Sequence, residues 1–257
     1  MSRLGELLAR NLGISKTAAA RLIDEGRVCD AAGVPYTDRK ASIQVGMAAA
    51  PAGTEATTPN VPMVFVDGDA VSLWSAALVM LHKPVGVVTA LRDNVHPTAY
   101  DLLREAPLFP ELRAAGRLDL ETSGLLLWTT EGALIQRLTH PKRRVPRTYQ
   151  AALAGPFTPP PPELVLDDGH RPELLELRPL SPTEIHPGLI VPAGGAVLAT
   201  VTIVGGAYHE VRRLFAALGT HVLGLCRTRF GAYELPVDLP SAGWRALPLP
   251  AGFDGSP

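Results

Sequence analysis

Cysteine is nearly missing from this chain: Cys29 and Cys226 are the only two in 257 residues. They lie far apart, so no disulfide framework is indicated, and a reducing compartment fits. No apolar stretch reaches the roughly 20 residues that a membrane-spanning helix needs. The first residues, Met1-Ser2-Arg3-Leu4-Gly5-Glu6, lack the apolar region of a signal peptide, and a cytoplasmic protein is expected. Charge of one sign is not in excess: 24 basic side chains face 25 acidic ones, a net charge of −1. The strongly basic balance of many nucleic-acid binders is therefore absent, and any such function has to rest on local patches. The seven histidines pair neither with one another nor with cysteine at metal-ligand spacing. Neither GxxxxGK[ST] nor GxGxxG occurs, so no metal or nucleotide cofactor is expected.

What is present is material for a core. Hydrophobic residues make up 46% and charged residues 19%, which argues against disorder throughout the chain. The length suits one large domain or two smaller ones. Leu4, Leu7, Leu8 and Leu12 fall on one face of a helix over residues 3–11, which Gly13 ends. Ser15 is placed to cap a second helix, with Ala18, Ala19, Leu22 and Ile23 as its apolar stripe and Gly26 as its stop. A short hairpin follows, turning at Ala32-Gly33. Arg3, Arg10, Lys16, Arg21 and Arg27 decorate the outside of this helix pair. Charges on helices are most often simply solvated. Residues 47–62 carry three prolines and no periodicity, and read as a flexible insertion. Val64–Asp69 reads as a strand and turn, so the first domain is expected over residues 1–72, a linker over 73–77 and a second domain over 78–257.

The second domain opens with a strand over Leu78–Lys83, a turn at Pro84, and a returning segment Val85–Thr89. Helical patterning surrounds Tyr100–Arg104. The stretch Gly116-Arg117-Leu118-Asp119-Leu120-Glu121-Thr122-Ser123-Gly124 then places an arginine and two carboxylates before the apolar run Leu125–Trp128. That run reads as a buried strand, and a charged loop propped on a rigid strand is where chemistry is usually placed. A helix follows with Leu134, Ile135 and Leu138 inward. Residues 140–147 hold four cations, Lys142, Arg143, Arg144 and Arg147. Strands are expected from Tyr149, over Leu174–Leu180, and over Ala196–Val204, where Val197, Ala199, Val201 and Ile203 alternate. Prolines dominate residues 156–172. Val211, Leu214, Phe215 and Leu218 mark a helix over 209–218. A closing strand over Val222–Phe230 carries Arg227 and Arg229, expected on one face. Strands and helices mix without a βαβ repeat, so the second domain is expected to be α+β with a mostly antiparallel sheet flanked by helices.

A lone carboxylate beside an arginine is in most proteins a surface ion pair or a helix cap. Asp119 and Glu121 are two apart and are expected to point to opposite faces, so that they do not flank one bond as a glycosidase pair does. That leaves a single working carboxylate, able to act as nucleophile or general base. On the helix over 209–218, Arg212 lies about 100° from Val211, at the edge of the core face. Arg213 points nearly opposite Val211 and Leu214, so Arg212 is the nearer of the two to the core, unless both simply face solvent.

Several of these segments carry a resemblance. GRLDxxTSG is similar to the catalytic motif of the pseudouridine synthases of the bacterial ribosomal small-subunit type. The Lys83-Pro84-Val85-Gly86 turn, Arg147-Thr148-Tyr149 and His209-Glu210-Val211-Arg212-Arg213-Leu214-Phe215 resemble that family's other motifs, in the family's order. The Ser15–Val28 run resembles an S4 domain, a compact RNA-binding module. The resemblance implies an isomerase that converts a uridine of ribosomal RNA, most nearly 16S rRNA, to pseudouridine without a cofactor. It makes Asp119 the essential residue, Tyr149 the ring against the target base, and Arg212 the group that keeps Asp119 ionised. Arg117 would fill the space an extruded base leaves. Lys16, Arg21, Arg27, Lys142, Arg143, Arg144, Arg147, Arg213, Arg227 and Arg229 would contact RNA. The partner implied is ribosomal RNA or a small-subunit assembly intermediate. A monomer is expected, since the sequence offers no apolar patch beyond the cores. Two alternatives stay open: a non-catalytic assembly factor on the same scaffold, and a synthase for large-subunit rRNA.

Overall fold

The computed structural model describes residues 2–43, 61–250 and 253. The buried apolar residues form three clusters. One collects Leu4, Leu7, Leu8, Ala19, Ile23, Val28, Val64 and Leu73, and the other two begin at Ala77 and Leu78.

The first core lies under two helices, α1 (Leu4–Leu12) and α2 (Lys16–Asp24). Gly13 closes α1 in the left-handed region (φ 65°), a conformation that glycine adopts without strain. The Ser15 side chain accepts from the Ala18 amide, as a helix cap should. Short strands complete the unit. β1 (Ser2–Arg3) pairs with β3 (Ser42–Ile43), and β2 (Val28–Cys29) pairs with the hairpin β4 (Met63–Val66) and β5 (Asp69–Ser72). Residues 47–60 of the expected insertion lie outside the described residues.

The second unit is built on one nine-stranded sheet. Its path runs β10 (Glu173–Pro179), β11 (Val197–Val204), β9 (Pro146–Leu153), β12 (Val222–Phe230), β8 (Thr122–Thr129), β6 (Leu78–Lys83) and β14 (Trp244–Leu247). β7 (Arg113–Ala114) joins β8, and β13 (Tyr233–Glu234) joins β12. Every pairing is antiparallel except β8 with β12, so the fold is mixed α+β. Helix α3 (Gly132–Thr139) packs through Leu134 and Leu138, and α4 (Glu210–Ala217) through Val211, Leu214 and Phe215. Every residue of β6 and β8 is buried, which explains why the central strands read as continuous apolar runs.

Three local expectations differ. Residues 85–89 do not return as a strand; a single bridge, Val88 to Thr98, replaces it. The helix near Tyr100 is one 3₁₀ turn, Asp101–Leu103. Arg227 and Arg229 do not share a face. A bulge in β12 sets Arg227 opposite Tyr149 but Arg229 opposite the adjacent Thr148, inserting Thr228 into the alternation. Arg227 is consequently buried and Arg229 exposed.

The two units meet through α1. Asn11 donates to the Trp74 carbonyl (2.9 Å) and accepts from the Trp74 amide (3.0 Å), and Arg10 grips Glu111 with two bonds of 2.7 and 2.6 Å. The Arg10 pair is exposed and so contributes about 0–1 kcal/mol. The part-buried Asn11 bonds, at about 1 kcal/mol each, are the firmer tie.

Candidate active site

The Arg117–Glu121 loop is held from behind. Thr89 donates its hydroxyl to the Leu118 carbonyl (2.9 Å) and accepts from the Leu118 amide (3.1 Å). The Gly86 amide donates to the Leu120 carbonyl (2.8 Å). Lys83, fully buried, donates to the carbonyls of Thr122 and Pro84, both at 2.8 Å. The Lys-Pro-x-Gly turn is thus a strap over the carboxylate loop. Ser123 bonds the carbonyls of Gly188 and Leu225. Gly124 has φ 110°, and a Cβ there would stand 2.3 Å from the Arg227 carbonyl oxygen. The final glycine of GRLDxxTSG is therefore what lets β8 and β12 lie side by side.

In front of the loop is a groove of about 880 Å³, lined by Arg117, Asp119, Arg147, Tyr149, His209, Arg212 and Arg227 among others. Asp119 faces it with 38% of its side chain exposed, while Glu121 points to solvent. Three carboxylates line this groove. Glu173 pairs with Arg144. The buried Glu210 bonds His170 (2.8 Å) and the Ala207 amide (2.9 Å). Asp119 alone accepts no side-chain hydrogen bond among the described residues; His209 stands beside it, with Nε2 at 3.6 Å from Oδ1.

The expected ion pair between Arg212 and Asp119 is not formed. Arg212 reaches the groove but donates to the carbonyls of Glu121 (3.0 Å) and Val222 (3.4 Å), with the Glu121 carboxylate 3.9 Å away. Its position at the edge of the core face turns it toward the flank of the loop rather than its tip. Arg213 is drawn the other way, to Asp167 and Asp168 and the Tyr208 carbonyl (3.2 Å). The charge behind Asp119 comes instead from Lys83. Burial brings its amine down to about 8, and the field of Asp119 opposes that fall.

Tyr149, 8% exposed, stands in register with Arg227 on β12. Arg147 enters the groove beside it, with its pKa lowered mainly by burial. Among the expected RNA contacts, Arg117, Lys142, Arg143 and Arg229 are exposed. Lys16 pairs with Glu6, Arg21 with Glu25, Arg27 with Glu25 and Asp67, and Arg144 with Glu173. Two site residues escaped the sequence reading, His209 and Lys83. Both sit inside motifs quoted for other residues. His209 is held at φ 51° with its ring stacked on the exposed Tyr208 (centroids 3.9 Å apart). Among the described residues no group of three His, Cys, Asp or Glu side chains could hold a metal ion, and no helix is long and apolar enough to cross a membrane.

A single free carboxylate facing a basic groove, on a strapped loop, matches what a base-isomerising RNA enzyme requires. The family described as RNA pseudouridylate synthase matches residues 77–217, and the chain belongs to it: it is an enzyme that isomerises uridine in RNA to pseudouridine. Ribosomal small subunit pseudouridine synthase A of Escherichia coli (strain K12) is 30% identical over 253 residues, covering 95% of this chain and 96% of its own length. The protein of that name from Vibrio cholerae is 38% identical over 180 residues, 70% of this chain and 74% of its own. A solved structure titled as a pseudouridylate synthase covers 96% of both chains at 26% identity, with a TM-score of 0.55.

Proposed function

We propose that this enzyme modifies a uridine of small-subunit ribosomal RNA, in the cytoplasm and as a monomer, with Asp119 as its one catalytic carboxylate and no cofactor. The observation that carries this reading is the state of the three groove carboxylates: two are engaged and Asp119 is free. The target base leaves the RNA stack, at a cost of about a few kcal/mol, and enters the groove. Tyr149 packs against it, and Arg117 fills the space it vacates. Asp119 attacks C1′ or takes a sugar proton; by either route the C1′–N1 bond breaks and C5 is joined to C1′. Lys83 places a positive charge behind Asp119, His209 stands beside it, and Arg212 steadies its loop through the Glu121 carbonyl. Lys142, Arg143 and Arg229 serve phosphate at the rim. Residues 1–72 act as a second RNA grip of the S4 kind, through Lys16, Arg21 and Arg27.

The relatives named for the small subunit support the choice of RNA. Incubating the protein separately with small-subunit RNA, its partial ribonucleoprotein and large-subunit RNA, then mapping new pseudouridines, tests it. A new pseudouridine in the small-subunit RNA or particle is expected. Modification of large-subunit RNA alone would overturn the assignment.

A further inference from the structure

The floor of the groove carries more positive charge than the protein neutralises. Arg227 is 2% exposed, yet its guanidinium makes one hydrogen bond, from Nε to the Leu125 carbonyl (2.9 Å). Its Nη2 is buried with no partner. Arg147 makes no side-chain hydrogen bond or ion pair among the described residues. Both guanidinium carbons lie over the ring of Phe230, at 5.0 Å for Arg147 and 4.8 Å for Arg227. Lys83 adds a third cation, close enough for Arg227 to repel its charge. Against these three stand two carboxylates: Asp119, without a hydrogen bond, and Glu210, whose field reaches Arg147 but whose oxygens are taken by His170 and the Ala207 amide. Buried donors are rarely left unmade, because each costs about 1–3 kcal/mol. Two guanidiniums backed by one aromatic ring form a built anion seat.

We propose that Arg147 and Arg227 hold the uracil ring once it has been detached, taking the negative charge spread over its carbonyl oxygens. This deepens the proposed function above and rests on it. Depth favours a base over a phosphate. Phosphates have exposed cations at the rim, whereas Arg227 is 2% exposed and lies beside Tyr149, its register partner on β9. Chemistry points the same way. When the C1′–N1 bond breaks, its electron pair leaves with N1 and spreads onto O2 and O4. This holds whether Asp119 bonds C1′ or removes a sugar proton. The ring then turns and C5 bonds C1′, which releases the Asp119 oxygen from C1′ in the one route and is accompanied by return of the sugar proton from Asp119 in the other; the C5 proton leaves and N1 regains a proton, so the isomerisation balances with nothing consumed. A donor that meets a neutral carbonyl before cleavage and an anion after it binds more strongly as the reaction proceeds, which is the condition for catalysis.

The seat can be probed without RNA. The full chain is titrated with uracil, with barbiturate (a pyrimidine of similar shape that is an anion at neutral pH) and with inorganic phosphate. Barbiturate is expected to bind at least about tenfold more tightly than uracil, the equivalent of one charge-assisted hydrogen bond, and phosphate is not expected to displace it. Arg227→Gln should abolish that preference. Arg147→Gln, which sacrifices no internal hydrogen bond, carries the same test if Arg227→Gln fails to fold. In single turnover on RNA that the wild type modifies, either variant should lose about 10²–10³-fold in rate at saturation. The loss should shrink for 5-fluorouridine, whose detached base is the more stable anion, read as disappearance of the intact nucleoside. Equal or absent binding of barbiturate and uracil overturns the seat. So does displacement by phosphate, or weakened RNA affinity at an unchanged saturated rate. Absence of pseudouridine in ribosomal RNA with the wild type would instead count against the substrate assignment, and leaves the titration readable.

Discussion

Nε2 of His209 stands 3.6 Å from Oδ1 of Asp119, and the two meet because β8 and the start of α4 converge on one groove. His209 is held in a left-handed backbone conformation and stacked on Tyr208, so its ring has little freedom to leave. His209→Ala should therefore lower the single-turnover rate about tenfold, the equivalent of one charge-assisted contact at 1.4 kcal/mol. RNA affinity should change little. Loss of affinity with the rate intact would make His209 a binding residue instead.

Lys83 gives a pH dependence. Its amine falls to about 8 in the fold, against about 10.4 in an unfolded chain. Between those values the unfolded state holds more protons, so folding stability should rise with pH across that window. The rate should move the other way, falling as pH rises through about 8 and the charge behind Asp119 disappears. Lys83→Met should remove this limb from the pH–rate profile. A profile unchanged by the substitution would show that the limb belongs to another group.

His186 should set acid sensitivity. It is 6% exposed, its Nδ1 accepts from the Gly188 amide (2.9 Å), and His82 packs edge-on at 5.9 Å. Its pKa is lowered first by burial, with His82 adding to the fall. A depressed histidine stabilises the fold fully above the unfolded value of about 6.5 and progressively less as pH falls below it. Denaturant midpoints at pH 7.5 and pH 5 should therefore differ, and His186→Gln should narrow the difference.

Gly124→Ala is expected to destabilise by about 3 kcal/mol or more, since its methyl group meets the Arg227 backbone and its φ is positive. Thermal unfolding should report a fall of roughly 6–12 °C. A change below 2 °C would mean that β8 and β12 can part at no cost.

Much of this was legible in the chain. Leu4, Leu7 and Leu8 face one core, and Val211, Leu214 and Phe215 another, as their spacing required. Ala199, Val201 and Ile203 are buried on β11 as alternation demands. Asp119 enters the groove and Glu121 does not, but the cause is a turn at Leu120-Glu121, closed by the Thr122 amide donating to the Asp119 carbonyl (3.1 Å); on extended backbone two residues so spaced would share a face. The failures share a cause: each depended on a partner distant in sequence. The β12 bulge, which separates Arg227 from Arg229, exists only in the pairing with β9. Arg212 lies near the expected helix edge, but the carbonyls that capture it belong to Glu121 and Val222. Lys83 reads as an ordinary turn lysine until β6 is found buried at every residue. The strand β14 has no strong alternation and exists because β6 offers it an edge.

The most direct test of Asp119 as the working carboxylate is a single-turnover assay of Asp119→Asn on RNA that the wild type modifies, with affinity measured in parallel. The asparagine keeps the shape but can neither attack C1′ nor accept a proton as a carboxylate does. The expected result is no pseudouridine at unchanged affinity. Pseudouridine formed at the wild-type rate would contradict it.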